Sequence, residues 1–393
     1  MQLMKLRPHQ ERAVAAMLEH NKGQIIVPTG GGKTLKMIYD TMRQLESQTP
    51  KTIVVVAPRI LLAEQLSAEF LEFVTNAEVF HVHSGETHHE SSTRPYEIRQ
   101  WVERNADNHR LIVTTYNSLS RLQLAEIDVD TIYFDEAHNS VKRNFFPATE
   151  HFAANAARCY FFTATRKTSL TPSKPGMNDV DVYGNIICRV SAPELVDGGY
   201  IIAPKIVAKK FDVLAPKQVT AECDSSNLTE TLDDIDCKKI LVCVKSAKQL
   251  INLMSHTDCA TQLHQRGYSY LYITSKTGAI IDGKKVNREV FFDTLNAWGR
   301  DPNKKFVCLH RSILSEGINV SELEAVVFLR NMDVIEMTQT IGRVLRLGGK
   351  EKVWGLCVVP VYSKVGVSTE RALQRVVDAV FEKGEMLDSV VRR

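Results

Sequence analysis

Pro28-Thr29-Gly30-Gly31-Gly32-Lys33-Thr34 is the chain's clearest chemical signal. A glycine-rich turn can close backbone N–H groups around phosphate oxygens with no Cβ in the way. The apolar residues Ile25-Ile26-Val27 before it read as a strand. Leu35-Lys36-Met37-Ile38 after it read as a helix that points its positive end at the same anion. Lys33 adds a full charge for the outer phosphates, and the Thr34 hydroxyl is placed to hold Mg²⁺. Alone, such a turn is also compatible with an ordinary loop. The strand before it and the helix after it carry the phosphate reading. Val27 stands where such loops usually have their first glycine.

Asp135-Glu136-Ala137-His138 follows the apolar run Thr131-Ile132-Tyr133-Phe134. Two carboxylates then fall at the C-terminal end of a buried strand, where open α/β sheets hold ligands. Phosphoryl transfer to water needs a metal to neutralise charge and a group to orient the water. Asp135 suits the first task and Glu136 the second. The bland alternative is a solvated Asp-Glu pair opening a helix. A third element is Gln339-Thr340-Ile341-Gly342-Arg343-Val344-Leu345-Arg346. Helical spacing puts Gln339, Gly342, Arg343 and Arg346 along one face, and two arginines there suit the charge of a triphosphate. Read by itself, that face is an exposed basic surface.

The elements that must position these groups alternate between strand and helix. Buried strands are expected at Gln24–Val27, Thr52–Ala57, Val79–His83, Leu111–Thr115, Thr131–Phe134 and Cys159–Phe162, with helices at Leu35–Leu45, Ile60–Phe73 and Pro95–Arg104. Short apolar runs without polar alternation belong in a parallel sheet covered on both faces. The rhythm resumes with strands at Lys239–Val244, Tyr268–Ile273, Phe306–His310, Ala325–Leu329 and Val353–Pro360. Helices are expected at Ala247–Ser255, Val286–Trp298 and Asp333–Leu347. The reading is doubly wound α/β. A first domain spans 1–193, a connection 194–215, a second domain 216–365 and a helical tail 366–393. The polar run Asp224–Asp236 reads as a loop.

With 393 residues, 44% apolar and 24% charged, the chain is long enough for two globular domains. No apolar run approaches the roughly eighteen residues of a membrane span, and the N-terminus has no signal-peptide pattern. The eight cysteines form no Cys-x-x-Cys pair, so reduced thiols in the cytoplasm fit better than disulfides or zinc. A net charge of +3 excludes a polycation and leaves room for a local basic groove. His81, His83, His88 and His89 invite a metal reading. No nearby cysteine or acidic residue completes a ligand set at standard spacing, so they are expected to be loop histidines. Phe145-Phe146-Pro147 reads as core, and the basic stretch Lys276, Lys284, Lys285 and Arg288 as a solvated turn.

The three chemical elements, in this order, resemble those of superfamily 2 helicases and translocases of the DEAH-box type. The resemblance runs from about Leu6 to Pro360. Leu6-Arg7-Pro8-His9-Gln10 resembles the group's adenine-recognition motif, which makes Gln10 the base reader. Pro28–Thr34 resembles motif I, Asp135–His138 motif II, Thr163-Ala164-Thr165 motif III, Ser315–Asn319 motif V and Gln339–Arg346 motif VI. The resemblance implies two tandem RecA-like domains with ATP and Mg²⁺ held between them. Lys33, Glu136, Arg343 and Arg346 are then catalytic. Gln10, Thr29, Gly30, Gly31, Gly32, Lys33, Thr34, Gly317 and Gln339 bind ATP, while Thr34 and Asp135 hold the metal. His138, Thr163, Thr165 and Asn319 couple nucleotide state to the polymer. Arg59, Thr115, Ser246 and Ser275, in segments resembling motifs Ia, Ic and IV and the stretch after the next strand, contact nucleic acid. Asn319 stands where the family usually has aspartate, and Thr163 replaces a common serine. The expected activity is ATP-dependent unwinding of, or movement on, nucleic acid. DNA is favoured because the chain ends soon after its second core; RNA is the alternative. A contrasting class is an ATP-binding clamp or switch that does not unwind. A small-molecule kinase fails on the distant arginine helix. The compact layout suits an intracellular phage or viral accessory protein.

Overall fold

The computed structural model describes residues 5–210, 219–311, 322–329, 333–346, 354–361 and 364–391. It divides into two compact units. The first comprises Met1–Val190 with Asp388–Arg393, and the second Ser191–Leu387.

In the first unit the strands are β1 (Lys22–Ile26), β2 (Thr52–Ala57), β3 (Glu78–Val82), β4 (Glu90–Ser91), β5 (Arg110–Thr115), β6 (Thr131–Phe134), β7 (Arg158–Thr163), β8 (Lys167–Thr168) and β9 (Ile186–Arg189). All but β8 form one parallel sheet in the order β4-β3-β5-β2-β6-β7-β1-β9. Helices α1 (Pro8–Glu19), α2 (Lys33–Gln44), α3 (Ile60–Leu71), α4 (Pro95–Arg104), α5 (Leu119–Leu124), α6 (Phe146–Asn155) and α7 (Val180–Tyr183) accompany it. β2 and β6 are buried at every residue. That is why they show no polar alternation in the sequence. Val54, Ile112, Ile132, Phe134 and Phe161 pack with Phe152 and Tyr183 in one core. Phe145 and Phe146 are half-buried against it, Phe145 stacking on Tyr116 at 5.6 Å.

A polar cluster is also built into this unit. Asp40 of α2 is fully buried. It accepts from Arg158 Nη1 and Nη2 at 3.0 and 2.9 Å, from Tyr133 Oη at 2.5 Å and from Gln44 Nε2 at 2.9 Å. A buried carboxylate with four charged or polar donors is a satisfied network. It ties α2 to β6 and β7.

The second unit holds α8 (Ala192–Asp197), β10 (Ala203–Lys210), α9 (Thr220–Asp234), β11 (Lys239–Cys243), α10 (Ala247–Ser255) and α11 (Cys259–Gln265). These are followed by β12 (Ser269–Thr274), β13 (Gly278–Ile281), β14 (Lys284–Val286), α12 (Arg288–Arg300), β15 (Phe306–His310) and β16 (Ala325–Phe328). Last come α13 (Val334–Val344), β17 (Trp354–Val361) and α14 (Lys364–Val376). Its sheet runs β10-β17-β16-β11-β15-β12-β13-β14. It is parallel except for the antiparallel edge β12-β13-β14. Each unit is thus a RecA-like α/β sheet, and the two follow each other in tandem.

Three expectations need correction. The expected connection 194–215 contains part of α8 and all of β10, which pairs with β17 over eight residues. Lysines on an edge strand guard against unwanted pairing, and they make such a strand resemble a linker. The expected loop Asp224–Asp236 is mostly α9. Its poor helix formers are offset by buried Leu228 and Leu232 and by hydroxyls that donate back, Thr229 to Ser225 O and Thr231 to Asn227 O. The basic stretch around Asp282-Gly283 is a solvated turn as expected, the exposed bend of the hairpin β13–β14. The tail does not all stay with the second unit. After α14 and a π-helical stretch over Val377–Glu382, residues Ser389–Val390 pair with β8 in the first unit. Arg166 clasps Asp388 there at 2.6 and 3.2 Å. None of the eight cysteines is in a disulfide. Among the described residues no helix is long and apolar enough to cross a membrane.

Candidate nucleotide site in the first unit

The glycine turn leaves the C-terminal end of β1, where Val27 N donates to Thr163 O of β7 at 2.9 Å. Gly30 and Gly32 adopt φ of 88° and 70°, the left-handed region that costs glycine nothing. Gly32 caps α2, so Lys33 and Thr34 open the helix. A Cβ on Gly32 would collide with Gln10 Nε2, which is why α1 can lie so close to the turn.

Lys36 is a residue the sequence reading passed over as ordinary helix. It is fully buried, and its Nζ donates to Gly31 O at 2.6 Å and to Gly32 O at 3.3 Å. His9 Nε2 lies 3.1 Å from the same Gly31 oxygen. The turn is therefore held from beneath by its own helix and by α1. Burial drives the Lys36 pKa down to about 7. The only signal in the sequence was a lysine on the inward face of an amphipathic helix.

Gln10 Oε1 accepts from Arg7 N at 2.9 Å, while the buried Nε2 has no hydrogen-bond partner among the described residues. A buried amide donor left unmatched costs free energy. A nucleotide base would satisfy it, so the residues present fit the nucleotide that the resemblance implies.

The end of β6 brings the acidic pair to the same edge. Lys33 Nζ lies 3.3 Å from Glu136 Oε1, with the two side chains 11% and 19% exposed. Glu136 has φ 46° and ψ 53°, left-handed for a non-glycine residue, a conformation held by its surroundings. Asp135 is buried, and burial together with the charge of Glu136 pushes its carboxyl pKa upward against the pull of Lys33. Asp135 and Thr34 offer oxygen donors at the ends of β6 and the glycine turn, which suits a divalent cation such as Mg²⁺. His138 Nδ1 stands 3.5 Å from Glu136 Oε2 and 3.1 Å from Thr163 Oγ1. Thr163 Oγ1 donates to Thr165 O at 2.9 Å and accepts from Thr165 N at 3.3 Å. Burial lowers the His138 pKa to about 4, so its ring is neutral near pH 7. Lys33, Glu136, His138, Thr163 and Thr165 thus form one connected polar chain across the ends of β1, β6 and β7.

Other expected positions are more scattered. Arg59 is the exposed N-cap of α3, at the end of β2. Thr115 ends β5 and is buried. Lys142 and Lys167, which the sequence reading did not single out, share the neighbourhood of Arg59. Burial first, then the charges of Lys167 and Arg59, lower the Lys142 pKa. In the second unit Ser246 caps α10 through Gln249 N, and Ser275 is exposed in the turn between β12 and β13. Gln339 and Arg343 are half-buried on α13. The charge of Arg343 adds to burial in pushing His310 down to about 3. The one-face relation does not extend to Arg346. The helix ends at Val344, and Arg346 lies past it in a bridge to Ile201. Gly317 and Asn319 fall outside the described residues.

Comparison with known proteins agrees with this picture. The family model described as "Type III restriction enzyme, res subunit" matches residues 3–168. A curated relative, the DEAD-box ATP-dependent RNA helicase CshC of Bacillus cereus, is 26% identical over 209 residues, 50% of each chain. Among solved structures, the ATP-dependent Type ISP restriction-modification enzyme LlaBIII bound to DNA superposes with a TM-score of 0.75 at 14% identity. It covers 99% of this chain and 31% of its own. Dbp5 of S. cerevisiae bound to RNA and ADP BeF3 gives 0.63 at 18% identity, covering 100% of this chain and 91% of its own. The chain is thus similar in its first half to these helicases and restriction enzymes, and over its whole length it shares their fold. It spans half the length of the curated relative and about a third of the restriction enzyme.

Proposed function

We propose that this chain is an ATP-dependent motor of the DEAH-box kind that moves on nucleic acid, DNA rather than RNA. The observation that carries the reading is the polar chain from Lys33 through Glu136 and His138 to Thr163 and Thr165. It joins a phosphate-binding turn to a base for water and on to the segment resembling motif III. A helicase-like fold that merely bound nucleotide would have no use for that linkage.

In this reading the turn and Lys33 hold the phosphates, Gln10 reads the base, and Glu136 orients the attacking water and takes its proton. Mg²⁺, carried with ATP, supplies charge neutralisation at the phosphates, and Asp135 and Thr34 are the residues that would hold it. The neutral His138 ring relays the position of Glu136 to Thr163. Gln339, Gly317, Arg343 and Arg346 are assigned nucleotide contacts and charge stabilisation on the resemblance, and Asn319 coupling. Arg59, Lys142 and Lys167 offer sequence-independent contacts to a sugar–phosphate backbone. Ser246 and Ser275 are further backbone contacts; the Thr115 side chain is buried and is not among them.

The preference for DNA is supported by the restriction-enzyme family model and by neighbours solved with DNA. CshC and Dbp5 support RNA. ATP hydrolysis measured in parallel with no polymer, single-stranded DNA, duplex DNA and single-stranded RNA separates the readings. Stimulation by DNA alone is expected. Stimulation by RNA alone replaces the substrate, and binding of ATP with no hydrolysis on any polymer replaces the motor with a switch.

A further inference from the structure

Helix α3 and strand β3 gather a group of ligating atoms that the motor reading leaves unused. His81 and His83 sit two residues apart, at the end of β3 and just beyond it, so their side chains leave the same face. Both rings are fully buried. Glu64, seventeen residues before His81 and on α3, reaches the same point. Glu64 Oε1 lies 3.1 Å from His81 Nδ1 and 3.1 Å from His83 Nε2, and the two nitrogens are 3.2 Å apart.

These three atoms form a nearly equilateral triangle. Ligands held about 2.0–2.1 Å from a tetrahedral Zn²⁺ stand roughly 3.3–3.4 Å from one another, within a few tenths of an ångström of the observed edges. An ion seated just above the triangle therefore finds the three atoms already near ligand spacing. The donor set of two imidazoles and a carboxylate suits Zn²⁺ better than Mg²⁺ or Ca²⁺, which take oxygen ligands. Outer partners are present as well. His81 Nε2 lies 2.8 Å from Ser67 Oγ on α3, which fixes the ring as second-layer groups do at metal centres. Thr87 Oγ1, 3.0 Å from His81 Nδ1, stands next to the fourth position, and Glu64, 30% exposed, leaves the site open to solvent on one side.

We propose that Glu64, His81 and His83 form a Zn²⁺ site that fastens the loop after β3 to helix α3. A consequence follows for the loop. Metal on His83 Nε2 leaves the proton on Nδ1, so the long 3.3 Å contact from Gly85 N to Nδ1 is given up. Gly85 packs directly on Ile60, the first residue of α3. The ion would steady the start of the helix that Arg59 caps through Glu64, which it ties to both histidines.

The test uses the full chain, prepared without a histidine tag and stripped with a chelator. Co²⁺ and then Zn²⁺ are titrated in, with metal content measured after gel filtration. The expected result is about one Zn²⁺ per chain, visible absorption bands of tetrahedral Co²⁺, and a rise in melting temperature with Zn²⁺. Glu64→Gln and His83→Gln should each weaken binding by more than about 100-fold, and Ser67→Ala by roughly 10-fold. Should His83→Gln fail to fold, Glu64→Gln, at a half-exposed position and of equal shape, decides alone. Wild-type protein that retains no metal overturns the proposal. So does uptake that the folded variants leave unchanged, which would mean an adventitious ion only.

Discussion

Replacing Glu136 by glutamine should have two opposite effects on ATP. Lys33 Nζ and Glu136 Oε1 are 3.3 Å apart and mostly shielded from water. At that distance and an effective dielectric constant of about 20, their attraction is ~5 kcal/mol. Desolvation of both groups offsets most of this, leaving roughly 1–2 kcal/mol to be given up when Lys33 turns to phosphate. Glu136→Gln keeps the shape and the left-handed backbone but removes the competing charge. ATP should then bind about 5–30-fold tighter. Hydrolysis should fall by at least ~100-fold, the usual contribution of a general base. Anisotropy titration with a fluorescent ATP analogue and single-turnover phosphate release measure the two effects separately. Weaker binding in the variant would refute the competition between carboxylate and phosphate. Retained turnover would remove Glu136 as the base.

Four further outcomes are expected. Lys36→Met removes a lysine whose burial costs its charged form roughly 4–5 kcal/mol. It also removes two carbonyl bonds worth about 1.5–3 kcal/mol each to a charged donor. Unfolding by urea should therefore shift by less than ~2 kcal/mol while ATP affinity drops about tenfold as the turn loosens; loss of both would show that Lys36 is simply structural. Asp40→Ala leaves Arg158 and Tyr133 without their shared acceptor and should cost about 3–5 kcal/mol in urea unfolding. His138 and His310 are held neutral, at about 4 and about 3, against 6.5 when unfolded. The unfolded chain thus binds more protons below pH 6.5, and stability should fall by roughly 2 kcal/mol per histidine between pH 6.5 and 5, a slope that His310→Asn reduces in denaturation curves. Arg59→Ala and Lys142→Ala should each lower the slope of log affinity for single-stranded DNA against log salt by about one, with little dependence on sequence.

Much of the architecture is legible in the residues themselves. A parallel strand covered on both faces is apolar through its middle without polar alternation, so β2, β5, β6 and β7 are visible as short apolar runs. A turn that brings its backbone up to phosphate must be glycine, so the site's centre is visible too. Local periodicity also placed α3, α4 and α10 closely. What it could not place were the elements whose stability comes from contacts far along the chain. α9 looks like a loop because its helix rests on packing and on hydroxyls bonded back to the backbone. β10 looks like a linker because an edge strand carries lysines.

The sequence by itself determined that the chain builds two successive α/β sheets, that Lys33 opens a helix after a glycine turn, and that Asp135 and Glu136 sit at a strand end. Spacing along a strand or helix is a local property, and these groups lie on single elements. Only the tertiary structure decided that Lys36 supports the turn from beneath, that Asp40 anchors Arg158, and that Glu64 completes a triangle with His81 and His83. Each of these joins residues on different elements or buries a charge. Such outcomes depend on which faces meet, and no local pattern records that.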